Sequence, residues 1–151
     1  MLSKKIARFV VSIFLCQLAG IIGSLFTTPS IATWYASLNK VSFSPPNWVF
    51  APVWITLYFL MGISLYLVWG KKTAMMVFFV QLALNTFWSI IFFGFHNILL
   101  AFIEIVILWF AILATMIVFY KESKTASFLL IPYFLWVSFA SVLNFAIFLV
   151  N

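Results

Sequence analysis

Apolar residues fill five long runs along the chain, near residues 5–26, 49–69, 74–94, 99–120 and 126–149, and polar residues gather in the breaks between them. Each run is long enough to cross a hydrocarbon core of about 30 Å at about 1.5 Å per helical residue. Only the first break, residues 27–48, is long; across the others the chain must turn straight back, so neighbouring helices should be antiparallel. The pattern predicts an all-α integral membrane protein, a single bundle of five transmembrane helices over residues 1–151.

Inside the runs, the few polar and aromatic residues recur at helical spacing. Phe50, Trp54 and Tyr58 follow one another every four residues in the second run. Gln81, Asn85, Trp88 and Phe92 share a face of the third, and Tyr133, Trp136, Ala140 and Asn144 a face of the fifth. One account has the amides tie helices together while Trp and Tyr sit in interfacial belts. That account suits Trp69, Trp109 and Tyr120 near span ends. It suits Trp54, Trp88 and Trp136 less well, because these share faces with amides or phenols. Three such stripes converging in one half of the bundle would line an apolar, aromatic cavity with a few polar groups, the kind of site a flat hydrophobic ligand requires.

The first run contains Ala19-x-x-x-Gly23 and Gly20-x-x-x-Ser24, small residues one turn apart that predict a close helix contact, within the bundle or between subunits. Pro132 lies early in the fifth run, where it either kinks the helix or starts its regular part. The long break and the start of the second run carry Trp34, Tyr35, Phe43 and Trp48 together with Pro45, Pro46 and Pro52. The prolines prevent one uninterrupted helix, and the aromatics are too many for a connection facing water. Residues 27–48 are therefore expected to form an ordered lid.

Composition sharpens this picture. With 67% hydrophobic and 7% charged residues, the chain has too little polar surface to coat a soluble globule. Its net charge of +6 does not point to nucleic acid, because the basic residues are placed by topology. Lys4, Lys5, Arg8, Lys71, Lys72, Lys121 and Lys124 fall on one side and only Lys40 on the other. The positive-inside rule then puts the N-terminus in the cytoplasm and the long loop and C-terminus outside; the membrane expected is a bacterial plasma membrane. The N-terminal run exceeds the 7–15 apolar residues usual for a signal peptide, so it is read as a span.

Little catalytic chemistry is available. Cys16 is the sole cysteine, His96 the sole histidine and Glu104 the one acidic residue within a span. No catalytic triad, carboxylate pair or metal cluster can be assembled from them, which argues against hydrolysis and metal-dependent catalysis. His96 is expected to face solvent or cap a helix. Glu104 is a functional candidate as an intramembrane carboxylate, close enough to a span end to reach the interface or be protonated. Five spans with no visible repeat do not fit paired transporter halves.

Four blocks in order carry a resemblance over nearly the whole chain: Trp34-Tyr35-x-x-Leu38-x-Lys40; Pro45-Pro46-x-Trp48-Val49-Phe50-x-Pro52-Val53-Trp54 with Leu57-Tyr58; Gln81-Leu82-Ala83-Leu84-Asn85-x-x-Trp88 with Phe92-Phe93-Gly94; and Pro132-Tyr133-x-x-Trp136-x-x-Phe139-Ala140-x-x-Leu143-Asn144. The chain resembles the TspO/MBR family, the tryptophan-rich sensory proteins related to the mitochondrial translocator protein. The resemblance implies a five-helix bundle, commonly a homodimer, with a ligand pocket under the first loop. It also implies a membrane receptor that binds porphyrins such as protoporphyrin IX and haem as ligands, with no cofactor required. The alternatives it brings are light- and oxygen-dependent porphyrin degradation and transport of such ligands.

Carried onto matching positions, the pocket residues are Trp54, Tyr58, Asn85, Trp88, Trp136 and Ala140. Residues on the same faces and in the loop extend the expected ligand-binding set to Trp34, Trp48, Phe50, Phe92 and Asn144. Trp54 and Trp136 are the pair to which photochemistry would fall. Two departures stand out. Family members usually have Lys-Pro where this chain has Lys40-Val41, so the first loop is expected to be less constrained. The family's cholesterol-recognition pattern, Tyr followed by a basic residue, is missing from the end of the fifth run, which reads LNFAIFLVN.

Overall fold

The computed structural model describes residues 2–151, and those residues form helices and no strands. Five helical stretches are long and apolar enough to cross a membrane: Leu2–Ile31, Asn47–Leu67, Lys72–Gly94, Ile98–Glu122 and Lys124–Val150. They pack as one five-helix bundle. Large apolar side chains such as Leu25, Phe110 and Leu135 cover its outside, as lipid in place of water permits.

Helix α1 (Leu2–Ile31) runs five residues past the apolar stretch, through Pro29. The hydropathy ends at Phe26 because Thr27, Thr28, Pro29 and Ser30 are polar or ring-locked, but the helix does not end there. The Thr33 hydroxyl donates to the Pro29 carbonyl at 2.9 Å, and Ser30 Oγ donates to the Phe93 carbonyl at 2.7 Å, which holds the last turn against the third span. The loop expected over 27–48 is accordingly shorter. It carries one helical turn, α2 (Trp34–Ser37), and ends where α3 (Asn47–Leu67) begins directly after Pro45-Pro46.

The third span, α4 (Lys72–Ser89), widens at its end into a π turn over Ile90–Gly94. His96 then adopts a left-handed φ of 54° that reverses the chain. Asn97 caps the next helix, α5 (Ile98–Glu122), by accepting from the Leu100 amide. The fifth span is two helices, not one: α6 (Lys124–Phe128) and α7 (Ile131–Val150). Pro132 lies in the first turn of α7, where its missing amide donor leaves no helical bond unmade, so it starts the regular helix.

Two contacts align the basic residues at one end. Phe9 near the start of α1 meets Tyr66 near the end of α3 edge-on at 5.4 Å, and Lys71 pairs with Glu122 at 3.2 Å. Lys40, His96 and Asn151 lie at the opposite end. At the basic end α1 and α3 meet backbone to backbone: a Cβ placed on Gly62 would lie 2.8 Å from Ile13 Cα. Of the small residues of α1, Ala19, Gly20 and Gly23 make their contacts inside the bundle, whereas Ser24 is exposed. Ala19 and Gly23 face α4, where Thr86 and Ser89 approach, and Gly20 faces the Tyr58 ring on α3.

Candidate functional site

A chain of buried hydrogen bonds crosses the bundle at mid-depth. The Tyr58 hydroxyl on α3 donates to Asn85 Oδ1 on α4. Asn85 Nδ2 donates to the Tyr133 hydroxyl on α7 at 3.0 Å, and that hydroxyl donates to Gln81 Oε1 on α4 at 2.8 Å. Gln81 and Asn85 are one helical turn apart, and Pro132 begins α7 so that Tyr133 enters the same layer. One turn higher, Trp88 Nε1 donates to Asn144 Oδ1 at 3.1 Å, and Asn144 Nδ2 donates to the Ile98 carbonyl at 3.0 Å, tying α4, α7 and α5. Such bonds contribute about 0.6 kcal/mol each between membrane helices. Their larger effect is to set the rotation of each helix, and hence where the rings point.

Above this layer lies a cavity of about 360 Å³. Rings form three of its walls. Trp54 stacks on Tyr58 with centroids 5.5 Å apart, Trp88 stacks on Phe92 at 5.1 Å, and Phe50 meets Trp136 edge-on at 6.2 Å. The fourth wall is the small-residue face of α1, where Gly20, Gly23 and Thr27 line the space. The volume falls within the roughly 300–1,000 Å³ of small-molecule sites. On its ring walls the polar groups of Tyr58, Trp88 and Asn144 are already hydrogen-bonded, so those walls offer a ligand chiefly aromatic surface.

Phe50, Trp54, Tyr58, Trp88, Phe92, Trp136, Ala140 and Asn144 all line the cavity. Asn85 does not; it lies behind Tyr58 and holds that ring in place. Trp48 is 75% exposed and also off the cavity. Because α3 starts at Asn47, the face that meets the cavity is Asn47, Phe50, Ala51 and Trp54, and Trp48 points about 100° away from it. Trp34 does not line the cavity either: it stacks on the His96 ring at 4.4 Å and 11° and meets Phe92 edge-on. The α1 wall is what the sequence reading missed. Gln17, Gly20, Ser24 and Thr27 recur at helical spacing as small or polar residues in an apolar span, and that regularity was the available signal.

The loop between α1 and α3 closes the outer end. Tyr35 is buried beneath it and borders the cavity; burial pushes its phenol above the usual tyrosine value. Lys40 Nζ donates to the Tyr35 carbonyl at 2.9 Å and sits 4.7 Å over its ring. Asn39 and Asn151 exchange hydrogen bonds of 2.9 Å, which fasten the loop to the end of α7. His96 is exposed, with Nε2 3.4 Å from Ser30 Oγ. Without a proline at position 41 the loop is thus held by side chains: Val41 packs against the Tyr35–Phe92 cluster and its carbonyl accepts from the Ser44 amide at 3.0 Å. Glu104 does not reach the interface; it is 8% exposed within the bundle, with neither carboxyl oxygen hydrogen-bonded, and it is not part of the cavity wall.

Fold and cavity together define a multi-pass helical membrane protein with an aromatic-walled cavity in one half of its bundle. The sequence pattern of the TspO/MBR family matches residues 12–150, and the chain belongs to that family. It is 46% identical over 152 residues to the tryptophan-rich protein TspO of Archaeoglobus fulgidus, covering 97% of this chain and 99% of that one. It is 37% identical over 154 residues to protein CrtK of Rhodobacter capsulatus, covering 97% and 94%. With the human translocator protein it shares 40% identity over 134 residues, covering 83% of this chain and 79% of the relative.

Proposed function

We propose that the protein is a membrane receptor for porphyrins, protoporphyrin IX or haem, and for similar flat hydrophobic ligands. The observation that carries this is the arrangement of ring faces: Trp54 on Tyr58 and Trp88 on Phe92 form two stacked aromatic walls around one space. Because Tyr58, Asn85, Trp88 and Asn144 already bond to one another, a ligand gains most from stacking and from leaving water, and little from new hydrogen bonds. Seven basic residues at one end favour placing that end in the cytoplasm and the loop outside a plasma membrane.

Replacing Trp54 and Trp136 together by Phe tests the site. Two diminished stacking contacts should weaken protoporphyrin IX binding by about tenfold, read by fluorescence quenching, with the helical circular dichroism unchanged. Wild-type affinity in that variant would refute the site. The presence of both tryptophans on the cavity wall favours one further reading, light- and oxygen-dependent porphyrin degradation. Loss of porphyrin absorbance under illumination in air should then require the protein and both tryptophans; equal loss without protein would dismiss it.

A further inference from the structure

We propose that the cavity has a lateral port between the outer halves of α1 and α3, and that its ligands arrive from the hydrocarbon of the bilayer, not from water across the loop. This inference rests on the cavity being a ligand site. The two helices are close-packed at the basic end, where Gly62 admits the Ile13 backbone. At the level of Gln17 they are still bridged, by Gln17 Nε2 donating to the Ile55 carbonyl at 3.1 Å. Beyond that bridge they part. Ile21, Ser24 and Thr28 on α1 and Asn47, Ala51 and Ile55 on α3 line the cavity and are at the same time exposed on the outside of the protein. Ile21 and Ile55 are 56% and 59% exposed. A residue that borders both the inside and the outside marks an opening.

The neighbours of this slot are lipid-facing. Leu18 and Leu25 on α1 and Phe59 on α3 are exposed large apolar residues on its flanks, so the slot opens onto acyl chains. The end facing water is closed by two ties from the loop to the bundle, Trp34 on His96 and Asn39 with Asn151, and Lys40 on Tyr35 braces the loop internally. A flat apolar molecule partitions into the bilayer before it meets any protein. From there the slot is an open path, whereas the loop is a fastened one. Gln17 forms the sill of the port, and the side chains at Ser24 and Ala51 are small enough to leave its width free.

The test uses full-length protein in liposomes, with protoporphyrin IX supplied in a second population of vesicles and binding followed by tryptophan quenching after rapid mixing. Ser24→Phe, or Ile55→Trp on the opposite edge should Ser24→Phe fail to fold, narrows the port. Asn39→Cys with Asn151→Cys, joined by a bismaleimide, staples the loop; Cys16 is fully buried and takes no label. The port predicts that the rim variant slows association by about tenfold, whatever its final affinity, while the staple changes neither association nor dissociation by more than about twofold. Unchanged rates in the rim variants, or slowing by the staple, would overturn the port while leaving the binding site standing. No quenching by the unmodified protein would overturn the binding site and the port with it.

Discussion

The pair α1 and α3 is packed in two opposite ways along its length. At the basic end Gly62 lets the helices meet so closely that a Cβ would strike Ile13 backbone, whereas two turns further out Gly20 leaves room for the Tyr58 ring, and beyond that the helices separate around the cavity. Both glycines are sites without room for a side chain, yet one brings backbones together and the other seats a cavity wall. The same small-residue pattern therefore serves closure or opening, depending on whether its partner is backbone or a ring held from behind. What holds Tyr58 from behind is the Asn85–Tyr133–Gln81 chain, so the buried polar layer is the boundary between the closed half and the open half.

Substitutions on either side of that boundary should behave differently. Gly62→Ala puts a methyl group against backbone that cannot move aside, and the clash, at about 1–3 kcal/mol, outweighs the roughly 1 kcal/mol gain in helix propensity. Its midpoint in unfolding by denaturing detergent should fall clearly below wild type, whereas a gain in stability would show that the closed half is not close-packed. Tyr133→Phe leaves Asn85 Nδ2 and Gln81 Oε1 without their partner inside the bundle. Unpaired buried groups cost about 1–3 kcal/mol in soluble proteins, and bonds between membrane helices are weaker, so a loss near 1 kcal/mol is expected, together with weaker ligand binding. Stability lost with full affinity kept would separate the polar layer from the cavity. Gly20→Ala meets the Tyr58 ring at 2.5 Å from Cε2, and because that ring is tethered through its hydroxyl to Asn85 it gives way only by displacing the cavity wall it forms. It should lower affinity for protoporphyrin IX several-fold with a stability change under about 1 kcal/mol; the reverse pattern would place Gly20 with the closed half.

The five spans and three of the four cavity walls were legible in the sequence because long side chains recur at helical spacing and a stripe of Trp, Tyr and Asn is conspicuous in an apolar run. The fourth wall was not, since glycine and serine show only that something comes close, and not what. The face of α3 depended on a boundary: a start at Asn47 puts Phe50 in the cavity and Trp48 outside it. Trp34 lies in a loop, where no periodicity assigns a direction, and its stacking on His96 joins residues sixty-two positions apart. The extra turns of α1 were hidden because hydropathy reports where lipid contact ends, while hydrogen bonds from Ser30 and Thr33 decide where the helix does. Asn85 shares a face with Trp88, but only the third dimension shows that its amide is occupied by two phenols.

The central claim is that the ring-walled space bounded by α1, α3, α4 and α7 is the ligand site, and a structure with protoporphyrin IX bound tests it most directly. The account predicts a ring system in that space, stacked on Trp54, Trp88 or Trp136 with an edge against Gly20 and Gly23. A porphyrin lodged instead in the shallow outer groove between α5 and α7, beside Phe102, Trp109 and Phe145, with the aromatic cavity empty, would contradict it.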